Sequence, residues 1–392
     1  MLVLMLFACD ATPEWHGPFD YTPASSCQFG LDDAALAAAV ETAMTTSFND
    51  EADRTPAAHG MVFGYALPNG TMQVQAFGYQ DVEDTVPMTE EAVFDLGSIQ
   101  KNFRWTMLHH LAEEGELDIE ADVDSIVTEM ELPATFRQLS MHNAGLKHWT
   151  DTPELAVDVF ADPSAVHSFE QTLGYLGDDP FVATPGRTFH YSNYGPRIAV
   201  EAIERTMGQG IEELTEERVL LPFGMENTWP QDGTHPDNLV DGWWTDDSDH
   251  TWGDDPSHDN AFASAAGGLL FSDACDLLRY AQGVFHDPDY ISNETLLQML
   301  QSPIQGSGGR VFAGFTSFAP EVMAGHFGSG QHGHSSGYMT RFTDGASIVV
   351  LTNAAPDGVP DDPATDAEND ARPGDDYNTV ISVMVATFDW AF

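Results

Sequence analysis

Lysine is almost missing from this chain. Only Lys101 and Lys147 occur in 392 residues, and Lys and Arg together number 13 against 63 Asp and Glu, for a net charge of -50. No basic patch able to follow a phosphate backbone can be built from so few cations, which excludes nucleic acid and anionic membrane surfaces as partners. Repulsion on this scale keeps a protein soluble and weakens its compact state at low ionic strength. The composition therefore fits a saline or calcium-rich setting, where salt screens the charge, or a compositional drift of the genome. Long apolar runs are also lacking beyond the N-terminus, so no later segment has the roughly 18 uninterrupted apolar residues that span a bilayer. What is present is a 42% hydrophobic content with 24 Phe. That is enough to bury a sizeable core in one large two-part domain or two ordinary ones, and it excludes a disordered chain.

Cysteine occurs three times, as Cys9, Cys27 and Cys275. The first closes an apolar N-terminal run, Met1 to Ala8, that lacks a positive leader and resembles the lipobox of bacterial lipoproteins. Lipidation of Cys9 would be the only membrane attachment and would place the protein outside the cytoplasm, in the periplasm or secreted; a buried N-terminal strand is the alternative. Cys27 and Cys275 could form a disulfide suited to an oxidising compartment or remain two separate buried thiols.

Residues 10–30 carry no periodicity and read, with the leader, as a 1–30 segment and tether before a 31–392 domain. Leu31–Ser47 has helical spacing. Met61–Ala66 and Met72–Phe77 are short β-prone runs around Leu67-Pro68-Asn69-Gly70, an Asn-Gly hairpin signal. A helix is predicted from Ser98 to about Leu117. Helices and long loops fill a region of about 105–310. Strand patterns return at Val311–Phe318, Tyr338–Phe342 and Ser347–Thr352, the last two joined by a Thr-Asp-Gly turn. An acidic loop over 355–376 and a closing helix over Tyr377–Phe392 follow. Strands at both ends of a helical middle predict an α+β protein in which distant segments complete one antiparallel sheet.

The residues able to do chemistry fall in three stretches. In Gly97-Ser98-Ile99-Gln100-Lys101, Ser98 lies where a loop enters a helix, and Lys101 falls on the same helical face within reach of its hydroxyl. A serine needs a neighbouring base to become a nucleophile, and a lysine withdrawn from water can be that base. The second stretch is Pro185-Gly186 followed by Tyr191-Ser192-Asn193. The third is Gly325-His326-Phe327-Gly328-Ser329, ahead of Val349-Val350-Leu351-Thr352-Asn353.

In this order the motifs resemble the serine penicillin-recognising enzymes, which carry S-x-x-K, then Y-x-N, then K-T-G or H-x-G. Class C β-lactamases, D-alanyl-D-alanine carboxypeptidases and related esterases are the group most similar. Phe136–Leu146, Leu220–Thr228 and Ala265–Leu269 with Asp276-Leu277 extend the resemblance along most of the chain. It implies a β-lactamase/transpeptidase-like fold, an antiparallel sheet flanked by helices with an inserted helical region. It further implies an acyl-enzyme mechanism without a cofactor, with Ser98 as nucleophile and Lys101 and Tyr191 as proton carriers. Asn193 would hold Lys101 and the substrate amide. His326 and Gly328 would line the pocket, and the Ser329 and Ser98 amides would form an oxyanion hole. The His/Gly/Ser repetition also allows His332 or His334 in place of His326.

A histidine instead of lysine in the third motif favours a peptidase or esterase over a dedicated β-lactamase, and the negative field disfavours anionic β-lactams. The expected partner is a small-molecule or peptide substrate. A non-hydrolysing sensor on the same fold and a calcium-dependent adhesin are the alternatives. Gly333-His334-Ser335-Ser336-Gly337 fits the G-x-S-x-G elbow, but no histidine follows it and strands replace the required helix. Zinc on His326, His332 and His334 lacks the H-x-H-x-D-H pattern, so these read as surface histidines and no metal is expected.

Overall fold

A computed structural model describes residues 19–48, 59–81, 83–231, 234–244, 256–300, 310–312, 315–319, 323–330 and 332–355. Cys9, most of the acidic loop and the closing helix lie outside the described residues. The strands among the described residues are β1 (Gln28–Phe29), β2 (Gly60–Ala66), β3 (Met72–Gly78), β4 (Phe94–Asp95), β5 (Thr228–Pro230), β6 (Trp243–Trp244), β7 (Leu270–Ser272), β8 (Arg310–Phe312), β9 (Phe315–Ala319), β10 (Met323–Ser329), β11 (Ser335–Arg341), β12 (Ser347–Thr352) and β13 (Ala354–Ala355). Eight of them form one sheet in the order β1-β3-β2-β12-β11-β10-β9-β8. All its pairs are antiparallel except the β1–β3 edge.

The predicted Asn-Gly hairpin joins β2 and β3. Gly70 takes φ +88 there, and Leu67 and Thr71 close the turn with a 2.9 Å hydrogen bond. Strand β12 then pairs with β2, Thr352 opposite Met61, which is how distant ends of the chain complete one sheet. Alternation along the strands separates two buried faces. Met61, Phe63, Phe327, Met339, Ile348 and Val350 pack with Leu36 and Val40 of α1 (Ala34–Phe48). Val62, Val74, Tyr338, Val349 and Leu351 face the main core. Helix α1 begins three residues later than predicted, because Asp33 accepts the Ala35 and Leu36 amides and starts it.

The main core is built by α2 (Gln100–Glu113), α3 (Phe136–Ser140), α4 (Pro153–Ala161), α5 (Phe169–Gly174), α6 (Tyr194–Met207), α7 (Ile211–Thr215), α8 (Leu221–Phe223), α9 (Asn260–Ala266), α10 (Ala274–His286) and α11 (Asn293–Leu300). Gln100–His109 of α2 are all buried, so this helix runs through the centre with packing on every side. A small sheet, β4-β7-β5, interrupts the helical region and fixes the strand that leads to Ser98.

The tether expected over residues 10–30 is corrected for its described part. Residues 19–30 lie against the sheet: Thr22 donates to the Pro68 carbonyl at 2.8 Å, Gln28–Phe29 adds the parallel edge strand, and Cys27 is disulfide-bonded to Cys275 of α10. Both signals were invisible to periodicity, since a two-residue strand has no pattern and a bond across 248 residues leaves none. Among the described residues no helix is long and apolar enough to cross a membrane.

Candidate active site

Strand β4 ends at Asp95, whose side chain accepts the Gly97 amide at 2.8 Å and turns the chain. Gly97 takes φ +51, a left-handed conformation, and a Cβ there would stand 2.4 Å from the Ser329 carbonyl oxygen of β10. Only glycine satisfies both demands. The 3-10 turn Gly97–Ile99 that follows carries Ser98 and leads into α2, placing the serine just ahead of the positive end of a fourteen-residue helix, two residues before the helix itself begins at Gln100. Lys101, one turn on, brings its Nζ to 3.0 Å from Ser98 Oγ. Tyr191 reaches the same oxygen from the opposite segment, its hydroxyl donating at 3.0 Å. The structure thus brings Ser98, Lys101 and Tyr191 to one point.

Tyr191 is held by the stretch Phe136–Leu146. The His142 ring stacks on Tyr191 with centroids 4.4 Å apart, His142 Nδ1 accepts the Ser192 amide at 3.3 Å, and its carbonyl accepts the His190 amide. Gly186 of the Pro-Gly turn donates to Asn143 at 2.7 Å, so the two segments are laced together. His142 takes φ +49, an uncommon conformation for a residue other than glycine, and here it aims the ring under Tyr191. The sequence shows this stretch only as part of the resemblance. Its job as the platform of Tyr191 comes from folding.

Burial sets the electrostatics. Lys101 is withdrawn from water and its pKa falls to about 7. Burial raises Tyr191 to about 12, only partly opposed by its hydrogen bond to Ser98, so it stays a phenol. Around the lysine stand imidazoles kept neutral first by burial and then by the lysine charge: His142, well below its ordinary value, His148 at about 4 and His326 at about 3. His148 has no place in the motifs read from the sequence. It follows Lys147, whose own ammonium only holds the Leu176 carbonyl at 3.1 Å.

Asn193 departs from expectation. Its Nδ2 lies 3.3 Å from His148 Nε2 instead of holding Lys101, and its Oδ1 is buried without a partner among the described residues. The amide that the resemblance assigns to Lys101 is here in contact with an imidazole.

Strand β10 forms the other wall. A Cβ on Gly328 would lie 2.0 Å from the Leu96 carbonyl oxygen, and one on Gly97 would lie 2.8 Å from the Ser329 nitrogen, so the strand and the serine turn touch backbone to backbone. His326, opposite Tyr338 on β11, is the histidine close enough to Lys101 to feel its charge. The other two do different work. His334 accepts the Asp95 amide at 2.9 Å and reaches the Val240 carbonyl at 3.0 Å. His332 contacts Asp259 at 2.8 Å. None is a surface residue, which corrects that expectation; each is over 90% buried. Ser335 and Ser336 start β11, so no nucleophile elbow forms there.

A serine held by a buried lysine and a tyrosine, at a helix start beside an antiparallel strand, is the constellation of a serine hydrolase. The family model described as Beta-lactamase matches residues 37–372, and the chain belongs to that family. Among curated relatives, the serine beta-lactamase-like protein LACTB of Homo sapiens is 31% identical over 100 residues, 24% of this chain and 18% of that protein. The D-aminopeptidase of Brucella anthropi is 30% identical over 158 residues, 38% of this chain and 29% of its own. The matched part is thus under a third of either relative. In fold, the D-amino acid amidase of Ochrobactrum anthropi SV3, solved with L-phenylalanine amide, has a TM-score of 0.70 at 19% identity, covering 92% of this chain and all of that one. The octameric penicillin-binding protein homologue of Pyrococcus abyssi has a TM-score of 0.66 at 23% identity, covering 83% and 74%. Both have the β-lactamase/transpeptidase fold, and this chain shares it.

Proposed function

We propose that this protein hydrolyses amides or esters through an acyl-enzyme on Ser98, and that it is a peptidase, amidase or esterase before it is a β-lactamase. The observation that carries the reading is the double contact on Ser98 Oγ, from Lys101 Nζ and the Tyr191 hydroxyl, each at 3.0 Å. A lysine with a pKa near 7 is largely uncharged just above neutrality and takes the Ser98 proton as Oγ attacks the carbonyl. The oxyanion that forms accepts from the backbone amides of Ser98 and Ser329. Tyr191 then gives its proton to the departing amine or alkoxide and recovers one from the Lys101 ammonium. Water releases the acyl group by the reverse path. Asn193 would contribute through its side-chain amide, whose buried Oδ1 has no partner among the described residues.

The substrate class follows from charge. His326 stands neutral where a cation would receive a substrate carboxylate, and the whole molecule is strongly negative. Both favour a substrate without a carboxylate next to the scissile bond, such as a D-amino acid amide, a peptide with a free amine or a simple ester. The similarity to a D-aminopeptidase supports this direction. The Cys27–Cys275 disulfide supports export to an oxidising compartment, with lipidated Cys9 as the anchor.

Steady-state turnover across a panel tests the reading: a D-alanine amide, a D-Ala-D-Ala peptide, a p-nitrophenyl ester and a penicillin. Sustained hydrolysis of amide or ester with at least about tenfold lower kcat/KM for penicillin is expected. A single stoichiometric burst on every substrate would instead establish the non-hydrolysing sensor.

A further inference from the structure

Away from the serine, three side chains from separate parts of the chain converge. His235 comes from the loop after β5, Asp259 from the turn before α9 and His332 from the turn between β10 and β11. Asp259 Oδ2 lies 2.9 Å from His235 Nε2, and its Oδ1 lies 2.8 Å from His332 Nε2. All three potential ligand atoms lie within 4.8 Å of one another. Asp259 and His332 are buried, and the His235 side chain keeps 13% of its surface open. The imidazoles meet edge to face with centroids 5.0 Å apart, and Phe271 walls both at 5.8 and 5.5 Å.

We propose that His235, Asp259 and His332 form a site for one divalent cation of the zinc class, fastening the β10–β11 turn to the helical region. Two imidazole nitrogens and one carboxylate are donors that zinc takes, with water left to fill the fourth tetrahedral position, and calcium and magnesium prefer all-oxygen sets. The open edge of His235 supplies both the entry and the place for the water. Phe271 excludes solvent from the other side, which strengthens the metal–ligand bonds. Binding needs each ligating Nε2 to present its lone pair, so a proton on that nitrogen passes to Nδ1 or to solvent.

The site adjoins the catalytic wall without belonging to it. His332 follows Ser329 by three residues, and a Cβ on Gly330 would stand 2.6 Å from the Asp95 carboxyl carbon, the group that shapes the serine turn. The ion is therefore a structural clasp on the strand that carries the oxyanion amide. It takes no part in the proposed acylation.

The test uses the full chain, stripped with a chelator and titrated with zinc alone by calorimetry and metal analysis. One equivalent should bind, raise the melting temperature and be insensitive to excess calcium. Cobalt in its place should show the visible absorption of a four-coordinate nitrogen/oxygen site. His332→Asn and His235→Asn should each weaken zinc binding by about 100-fold. If His332→Asn does not fold, His235→Asn carries the test, because its ring is the one that reaches solvent. Ser98→Ala should bind zinc like the unaltered protein, which separates this inference from the proposed hydrolysis. Absence of zinc binding at equimolar concentration overturns the proposal. So does binding that both histidine variants retain, which would place the ion on the acidic loops.

Discussion

In the proposed mechanism, Lys101 is the residue whose environment decides whether Ser98 can react. The sequence makes it conspicuous by the near absence of other lysines, and the spacing from Ser98 is enough to predict contact. Its pKa is not legible there, because burial depends on Tyr191, His142, His148 and His326, which arrive from distant segments. With a folded value near 7, the useful form is the free amine, so its population rises as pH rises through 7. Acylation rates should accordingly climb about tenfold per pH unit below neutrality and level off above it. Tyr191 ionises only near 12, so no second limb is expected between pH 8 and 10. A stopped-flow pH profile checks this; a rate that is flat from pH 5 to 8 would mean another base. His148 shows the limit of reading single residues. It carries no motif, yet it contacts the Asn193 amide, and nothing short of the folded chain indicates this.

At the scale of elements, strands bounded by a recognisable turn are legible, whereas the single run expected at Val311–Phe318 is the antiparallel pair β8–β9 and β11 starts three residues before the expected Tyr338. The β2–β3 hairpin and β12 lie within a residue of their predicted bounds because Asn-Gly and Thr-Asp-Gly turns define them. The edge strand β1 and the small β4-β7-β5 sheet are not legible, since two or three residues carry no periodicity. That small sheet matters most for function, because β4 delivers Asp95 and Gly97 to the serine turn. Gly97→Ala puts a methyl 2.4 Å from the Ser329 carbonyl oxygen and forces a left-handed φ on a residue that resists it. The strand and the turn must separate, pulling the Ser98 and Ser329 amides apart. Acylation should fall by about 100-fold or more, with a destabilisation of roughly 1–3 kcal/mol. Single-turnover kinetics beside a melting curve measures both. A variant that acylates normally would show that the oxyanion wall is not where β10 meets Gly97.

For the whole molecule, the dominant facts are a charge of -50 and one long-range covalent link. The charge was readable at once, and the link was not, because distance in space cannot be inferred from two cysteines 248 positions apart. The disulfide pins the N-terminal edge of the sheet to α10, which packs on β2, β11 and β12. Closing so long a loop restricts the unfolded chain, so Cys27→Ser should cost roughly 2–4 kcal/mol while leaving the proposed active site intact. Denaturant unfolding with a parallel assay of ester turnover distinguishes that outcome from a loss of activity at unchanged stability.

Residue, element and whole molecule all bear on Ser98, the residue proposed to become acylated. The direct measurement is intact mass followed by peptide mapping after reaction with a slowly deacylating ester or a tagged penicillin. One adduct per chain is predicted, on the peptide containing Ser98, and none should form in Ser98→Ala. An adduct that persists in that variant, or that maps to Ser335 or Ser336, would contradict the account.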